Sequence, residues 1–254
     1  MSITKTTTKL AAAGAVALGL AAGVATAQEA APKRVLVYGD SNTWGWIPTE
    51  QAFPTTRYPN DVRFAGVLQA ALGEGFEVVV DGLNNRTTDL DDPQDWGNVP
   101  MRSFNGAADL PAAIARELPL DLVVVMLGTN DVKAQFERSA EDVAAGAIRV
   151  ARIAAGSQGV ATEYAAPRVL VVAPPPFGAF GLEPFAQFYA GGDAKSAAFA
   201  EAFASAGAAE GVPIFDAGSA MGTTDGIDGV HFSEEDHRSL GEALAPVVRD
   251  LLAD

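Results

Sequence analysis

The chain has 254 residues, of which 48% are hydrophobic, enough for one α/β domain with a sizeable core. Its formal net charge of −15 argues against nucleic acids and anionic membranes as partners. It contains no cysteine, which excludes disulfides, a lipoprotein cysteine and a thiol nucleophile.

The first 27 residues have the organisation of a secretory signal peptide. Lys5 and Lys9 make a basic start, residues 10–24 are apolar, and residues 25–27 form a small-x-small cleavage site. The apolar stretch is short and alanine-rich for a bilayer span, and an uncleaved anchor is the alternative. We expect export to the periplasm or the medium, no membrane association after cleavage, and a mature domain at residues 28–254.

The first strand is predicted at residues 34–38, where an apolar run ends at Gly39 and is followed by Asp40 and Ser41. A serine just past a central strand lies at the edge where open α/β sheets place their chemistry. The same residues also suit an ordinary strand-to-helix turn in which Asp40 or Ser41 caps the helix. Both interpretations stay open on this stretch alone.

Apolar runs and helical patterns then alternate along the chain. Further strands are predicted at residues 76–80, 121–127, 168–173 and 212–215. Helices are predicted at residues 61–72, 110–118, 139–155, 193–210 and 233–252, the third and fifth with capping boxes Ser139/Asp142 and Ser233/Asp236. This order predicts an α/β fold, a three-layer αβα sandwich with a five-stranded parallel sheet. No dinucleotide fingerprint or Walker loop follows a strand, and we expect no cofactor.

A long polar loop at residues 81–105 carries four acids, Asp89, Asp91, Asp92 and Asp95. Long loops in compact domains are usually functional or mobile. The acids lack the ligand spacing of an EF-hand calcium loop, so no metal site is predicted. We interpret the loop as solvated or as a contact between subunits.

Polar residues also follow other predicted strands: Asn85 the second, Asn130 the third, and the pair Asp228 and His231 the fifth. Because the carboxyl ends of parallel strands meet at one edge, we expect them beside Ser41. Taken singly, Asn130 also suits a turn, and Asp228 with His231 suits an Asx-turn beside a helix.

A histidine-dependent reaction has two candidates, His231 and His237. His237 falls inside the last predicted helix, and we expect it at the surface. Asp228, three residues before His231, can accept a hydrogen bond from Nδ1 and leave the other ring nitrogen to take a proton from Ser41.

A developing oxyanion needs hydrogen-bond donors that are already in place. The backbone N–H groups of Ser41 and Asn85 and the side chain of Asn130 can supply three.

These residues resemble the SGNH (GDSL-type) hydrolases, and within them the bacterial arylesterase and acyltransferase subgroup. The segments that carry the resemblance are Gly39-Asp40-Ser41-Asn42-Thr43-Trp44-Gly45-Trp46-Ile47-Pro48, Arg86-Thr87-Thr88, Leu118-Pro119-Leu120-Asp121, Met126-Leu127-Gly128-Thr129-Asn130-Asp131, Pro174-Pro175-Pro176 and Thr224-Asp225-Gly226-Ile227-Asp228-Gly229-Val230-His231. The resemblance implies a flavodoxin-like fold and a homo-oligomer with a restricted, apolar entrance. It also implies Ser41 as nucleophile, His231 as base, Asp228 as its orienter, and the same three oxyanion donors.

The chain departs from this family at several positions. Asn85 stands where the family has Gly and the subgroup has Ala, so it needs a compatible φ. Asn42 stands where the subgroup usually has Leu, and the loop at residues 94–105 looks longer. An export signal is also unusual among these relatives.

Aromatic residues near these motifs are candidates for the substrate pocket or for core packing: Trp44, Trp46, Phe177, Phe180 and Phe185. We expect Trp46, Phe180 and Asn42 to contact the substrate.

The leading hypothesis is a serine esterase for small acyl or aryl esters, with transfer of the acyl group to water or an alcohol. An exported carbohydrate acetylesterase and an inactive carbohydrate- or surface-binding module are the alternatives.

Overall fold

The computed structural model describes Ser2, residues 31–94 and residues 96–253. The predicted signal peptide therefore lies, apart from Ser2, outside the described residues. Residues Ala31–Asp254 form a compact unit. Within the described part of the chain, every helix is too short or too polar to cross a membrane.

Five parallel strands form one sheet in the order β2-β1-β3-β4-β5. The strands are β1 (Lys33–Gly39), β2 (Phe76–Gly82), β3 (Leu122–Met126), β4 (Arg168–Ala173) and β5 (Ile214–Asp216). This is the flavodoxin-like order, and it confirms the predicted fold class. Successive strands are added on one side of β1 and then on the other, so the strand order reverses between β1 and β3. The crevice at the carboxyl ends of these two strands is the place where such sheets bind ligands.

Nine α-helices and three short 3₁₀ turns are found in the described residues. The helices are α1 (Ser41–Trp44), α2 (Phe64–Leu72), α3 (Gly106–Glu117), α4 (Ala140–Ala155), α5 (Glu183–Phe188), α6 (Gly192–Ala197), α7 (Phe199–Glu210), α8 (Gly218–Met221) and α9 (Glu234–Leu252); the 3₁₀ turns are Met101–Phe104, Asn130–Val132 and Ala134–Phe136. Both predicted capping boxes are present, at the starts of α4 and α9. The single helix predicted at residues 193–210 is two helices, because Ala198 ends α6 and begins α7.

Alternate side chains of each strand pack against different helical layers. Val35 and Val37 of β1 join Val124 of β3 in a core under α2 and α9. Leu36 and Tyr38 of β1 pack on the other face, in a core that α3, α4 and α7 cover. Burial on both faces explains why these strands read as continuous apolar runs in the sequence.

His237 belongs to the first of these cores, and the expectation that it lies at the surface is wrong. Its side chain is fully buried between α2 and α9, where its Nδ1 accepts a hydrogen bond from the backbone N–H of Phe64 at 3.2 Å. Burial lowers the pKa of His237 to about 3, because charging the ring there would strand a cation in an apolar environment.

Candidate active site

The end of β1 presents Ser41 at the sheet edge. Asp40 is the N-cap of α1 and accepts a hydrogen bond from the backbone N–H of Asn42 at 3.0 Å. A Cβ on Gly39 would lie 2.1 Å from Oγ1 of Thr43, so only glycine fits this tight turn. The capping interpretation thus applies to Asp40, and the hydroxyl of Ser41 is left for the site.

Ser41, His231 and Asp228 form one hydrogen-bonded chain. The hydroxyl of Ser41 lies 2.9 Å from Nε2 of His231, and Nδ1 of His231 lies 2.8 Å from Oδ2 of Asp228. All three side chains are buried, with Asp228 fully enclosed. This is the arrangement in which a carboxylate orients an imidazole that takes the proton of a serine.

The second oxygen of Asp228 holds the turn that carries the histidine. Oδ1 accepts hydrogen bonds from the backbone N–H groups of Val230 at 2.9 Å and His231 at 2.8 Å. Gly229 makes the turn possible with a φ of 78°. Burial would raise the pKa of Asp228, but the hydrogen bonds from the His231 ring and from these two backbone groups bring it below its usual value.

Two aromatic side chains fix the plane of the histidine. The Trp46 ring stacks on His231 with centroids 4.8 Å apart and planes 18° apart. Phe185 meets the same imidazole edge-on at 5.4 Å. The imidazole is therefore confined by two aromatic rings as well as by Asp228.

The three expected oxyanion donors come from the ends of β1, β2 and β3. Ser41 is the first residue of α1, where a backbone N–H has no acceptor within the helix. Asn85 has a φ of 66°, so it occupies the left-handed conformation that glycine would favour. No acceptor among the described residues takes its N–H. Asn130 donates Nδ2 to the carbonyl of Arg86 at 3.1 Å and accepts from the hydroxyl of Tyr189 at 3.0 Å, which leaves one N–H of its amide available.

Arg86 ties the turn after β2 to the end of β1. Its Nη1 donates to the carbonyl of Gly39 at 2.9 Å, and its guanidinium lies 4.0 Å above the centre of the Tyr38 ring. The charge of the guanidinium is balanced by two carboxylates, since Nη2 lies 2.9 Å from Oδ1 of Asp81 and 3.1 Å from Oδ2 of Asp109. In the sequence, Arg86 stands out only as part of the segment Arg86-Thr87-Thr88. Its role could not be predicted there, because its partners come from three separate elements, β1, β2 and α3.

A cavity of about 380 Å³ opens above these groups. Ser41, Asn85, Asn130 and His231 line its polar floor. Its aromatic walls are Trp46, Phe53, Trp96, Phe104, Phe185 and Phe188. A mostly apolar cavity with a few convergent polar groups is the usual form of a small-molecule site.

Three of the aromatic candidates lie elsewhere. Phe180 and Phe177 pack against each other and against Tyr189, behind the cavity wall, and Trp44 lies beside Arg57 on another surface. Phe180 does not line the cavity, whereas Tyr189, which stacks on it, does. The substrate contact of Phe180 stays a prediction.

Asn42 also has a different place from the one expected. Its side chain is buried beneath Ser41, where Nδ2 donates to the carbonyl of Val230 at 3.3 Å and Oδ1 accepts from the N–H of Phe232 at 3.0 Å. The two bonds hold Val230 and Phe232, the residues directly before and after His231. Asn42 thus joins the serine turn to the histidine loop and does not line the cavity.

The acidic loop at residues 81–105 is not simply solvated. Asp92 is fully buried, and its carboxylate lies 3.6 Å from Nζ of Lys133, which lines the cavity. Asp89 pairs with Arg138 at 2.8 Å. The solvated interpretation is wrong for these two acids, because cations distant in sequence fold onto them.

Sequence reasoning also missed Lys133. Burial lowers the pKa of this lysine to about 8, against the opposing effect of Asp92. Its position three residues after Asn130, beyond a strand end, was the signal that could have identified it.

Comparison with known proteins places this geometry in a family. The family model for GDSL-like lipases and acylhydrolases matches residues 37–238. The chain belongs to this family. The SGNH hydrolase resemblance predicted from the sequence motifs is thereby confirmed, and the protein is an esterase or acylhydrolase of that family.

Solved structures agree with the family assignment. The aryl esterase of M. smegmatis is 47% identical, with a TM-score of 0.82 over 87% of this chain and 100% of its own. A carbohydrate acetylesterase from Sinorhizobium meliloti is 42% identical, with a TM-score of 0.81 over 87% of this chain and 100% of its own. A comparison with curated proteins gives no match.

Proposed function

We propose that this SGNH acylhydrolase is a serine esterase that cleaves small acyl and aryl esters through an acyl-enzyme. The observation that carries the proposal is the unbroken hydrogen-bonded chain from Asp228 through His231 to Ser41, which ends at the floor of an aromatic cavity. A serine hydroxyl is a weak nucleophile until an oriented base takes its proton, and this chain supplies the base and its orienter.

The reaction follows from the positions of these groups. His231 takes the proton of Ser41 as Oγ attacks the ester carbonyl carbon, and the carbonyl oxygen becomes an oxyanion. The N–H groups of Ser41 and Asn85 and the amide of Asn130 donate to it. The intermediate then expels the alkoxide, which takes the proton from His231 and leaves the acyl group on Ser41. His231 then takes a proton from water or an alcohol as the oxygen of that acceptor attacks the acyl carbon. When the second tetrahedral intermediate collapses, the bond between the acyl carbon and Oγ of Ser41 breaks, and Oγ takes the proton back from His231.

The cavity walls favour an alcohol as the second acceptor. Aromatic side chains contact an aryl or alkyl alcohol well but offer water few hydrogen bonds, so an alcohol competes with water for the acyl-enzyme. We therefore propose acyl transfer beside hydrolysis. Incubation with an aryl acetate and benzyl alcohol in water should yield benzyl acetate, and release of acetate alone would contradict the transfer activity.

Replacement of the nucleophile tests the esterase proposal. Ser41→Ala should abolish turnover of p-nitrophenyl acetate while thermal unfolding stays close to that of the wild type, because His231 is the one partner of the hydroxyl among the described residues. A fluorophosphonate probe should label the wild type at Ser41 and not the variant. Activity that survives in the variant would overturn the assignment, and a wild type that neither turns over esters nor reacts with the probe would favour a binding module.

A carbohydrate acetylesterase is the second candidate. The 42% identity with the S. meliloti carbohydrate acetylesterase and the predicted export of the chain favour it. The same residues would then remove acetyl groups from sugars. Comparing kcat/KM for p-nitrophenyl acetate with kcat/KM for acetate release from acetylated xylan separates the two candidate functions, since only a carbohydrate acetylesterase should prefer the polymer.

The cellular setting and the assembly are part of the proposal. We propose cleavage after residue 27 during export, which mass spectrometry of the secreted protein would reveal as a new N-terminus. We also propose a homo-oligomer, which light scattering after gel filtration would test.

A further inference from the structure

We infer that Lys133 is a positioning residue that holds Asn85 in the conformation required of an oxyanion donor. The inference rests on the proposed role of the Asn85 N–H. Nζ of Lys133 donates to Oδ1 of Asn85 at 2.8 Å, and both residues line the cavity. Lys133 therefore acts on the reaction through Asn85, from within the site.

Asn85 has a conformational need that this contact meets. Its φ of 66° lies in the left-handed region, which is unfavourable for most L-residues. Asparagine tolerates this region but does not favour it. Without an external bond, the residue gains by returning to an ordinary φ, and the peptide that carries its N–H would turn with it. A buried ammonium that grips the side chain opposes that return.

The ammonium itself is held in place. Lys133 is 4% exposed and its Nζ lies 3.6 Å from Oδ2 of Asp92, a carboxylate with no exposed surface. Asp92 in turn accepts hydrogen bonds from Nε1 of Trp96 at 2.9 Å and Nε2 of Gln135 at 3.0 Å. Because these hydrogen bonds hold the carboxylate of Asp92, they also hold the ammonium group that pairs with it. Lys133 therefore donates to Asn85 from a fixed position.

One short segment clamps the turn after β2 at two successive residues. Asn130, in the 3₁₀ turn after β3, donates to the carbonyl of Arg86, and Lys133 directly after that turn donates to the side chain of Asn85. Both clamping side chains therefore come from the segment that carries the third oxyanion donor. Two donors from different strands are kept at a fixed spacing in this way.

A kinetic cycle tests this role. Lys133→Met should lower kcat for p-nitrophenyl acetate roughly 10- to 100-fold with little change in KM, because displacement of a catalytic group by about 1 Å costs up to that much. Asn85→Gly removes the side chain that the lysine grips but keeps the left-handed conformation accessible. In the Asn85→Gly background, Lys133→Met should have almost no further effect.

A charged substrate tests the competing role, in which the ammonium binds an anionic acyl group. The same variants are assayed with the p-nitrophenyl monoester of succinate. A rise in KM confined to this ester would overturn the positioning role, as would an equal loss of kcat in the Asn85→Gly background. Should Lys133→Met fail to fold because Asp92 is left as a lone buried carboxylate, the cycle is run on Asp92→Asn protein.

The outcome also separates this inference from the proposed function. Wild-type protein that is labelled by the fluorophosphonate probe and active, but whose kcat does not depend on Lys133, would overturn the positioning role alone. Wild-type protein that is unlabelled and inactive would overturn both.

Discussion

At the scale of single residues, the two oxygens of Asp228 do different work. Oδ2 bonds the ring of His231 and Oδ1 holds the turn that presents it. Asp228→Asn keeps an oxygen for the turn but replaces the charged partner of Nδ1 with an amide, so the ring takes the wrong tautomer. We expect kcat to fall by about 10⁴-fold with the fold retained. Ester turnover and circular dichroism check this, and a loss below tenfold would contradict an orienting role.

Asn130 gives a second residue-scale expectation. Its amide is the one side-chain donor among the three proposed for the oxyanion, so Asn130→Ala should lower kcat about 10²- to 10³-fold with little change in KM. Tyr189→Phe is the matched control, because it removes the hydroxyl that donates to Oδ1 of Asn130 but leaves the amide N–H groups of Asn130 in place. Steady-state kinetics should show a smaller loss for this control, and equal losses would assign the effect to packing.

At the scale of elements, the two capping boxes differ in what they support. Oδ2 of Asp236 in α9 accepts from Ser233 at 2.9 Å and also from the N–H of Asp225 at 2.8 Å, in the loop that leads to Asp228. Within the part of the chain that the structure describes, the carboxylate of Asp142 in α4 accepts a hydrogen bond from its own cap residue, Ser139, and from no other. The same sequence pattern therefore stabilises a helix in one place and anchors an active-site loop in the other.

This difference can be measured with one pair of variants. Asp236→Ala should destabilise the protein by about 1–2 kcal/mol and lower kcat, because the loop that carries Asp228 loses its anchor. Asp142→Ala should leave kcat unchanged and destabilise the protein less. Urea unfolding and ester turnover on both proteins decide the matter. Equal effects on kcat would show that Asp236 is a cap and nothing more.

At the scale of the whole molecule, His237 makes stability depend on pH. The folded protein keeps this ring neutral, with a pKa of about 3, while the unfolded chain binds a proton near pH 6.5. The contribution of the neutral His237 ring to the free energy of unfolding is thus complete above pH 6.5. It is lost on acidification, by up to about 1.4 kcal/mol for each pH unit down toward pH 3. Urea unfolding at pH 7 and pH 5 measures it.

A comparison with His237→Asn isolates this effect, since asparagine can still accept from the N–H of Phe64. Burial raises the pKa of Asp40 to about 6, so Asp40 acts in the opposite sense, stabilising at low pH and losing that contribution as the pH rises through 6. Asp40 is present in both proteins and cancels. Stability curves that run parallel between pH 7 and pH 5 would contradict the role of His237.

Whole-molecule packing also sets how much could be predicted from the sequence. Strand runs and capping boxes depend on neighbours in the chain, so the order of elements was predictable, and with it the shared edge of Ser41 and His231. The contact between Lys133 and Asp92 joins residues that local patterns do not connect. His237 was misplaced although it lies in helical register with Leu240 and Leu244, which are buried.

The stack of Trp46 on His231 gives the protein an optical reporter of the histidine that we propose as its base. Protonated imidazole quenches indole fluorescence, and the two rings lie 4.8 Å apart. The emission of Trp46 should therefore dim as His231 gains a proton, and Trp46→Phe should remove that change while the emission of Trp44 and Trp96 remains. A stopped-flow trace could then follow the charge on His231 during turnover without an added dye.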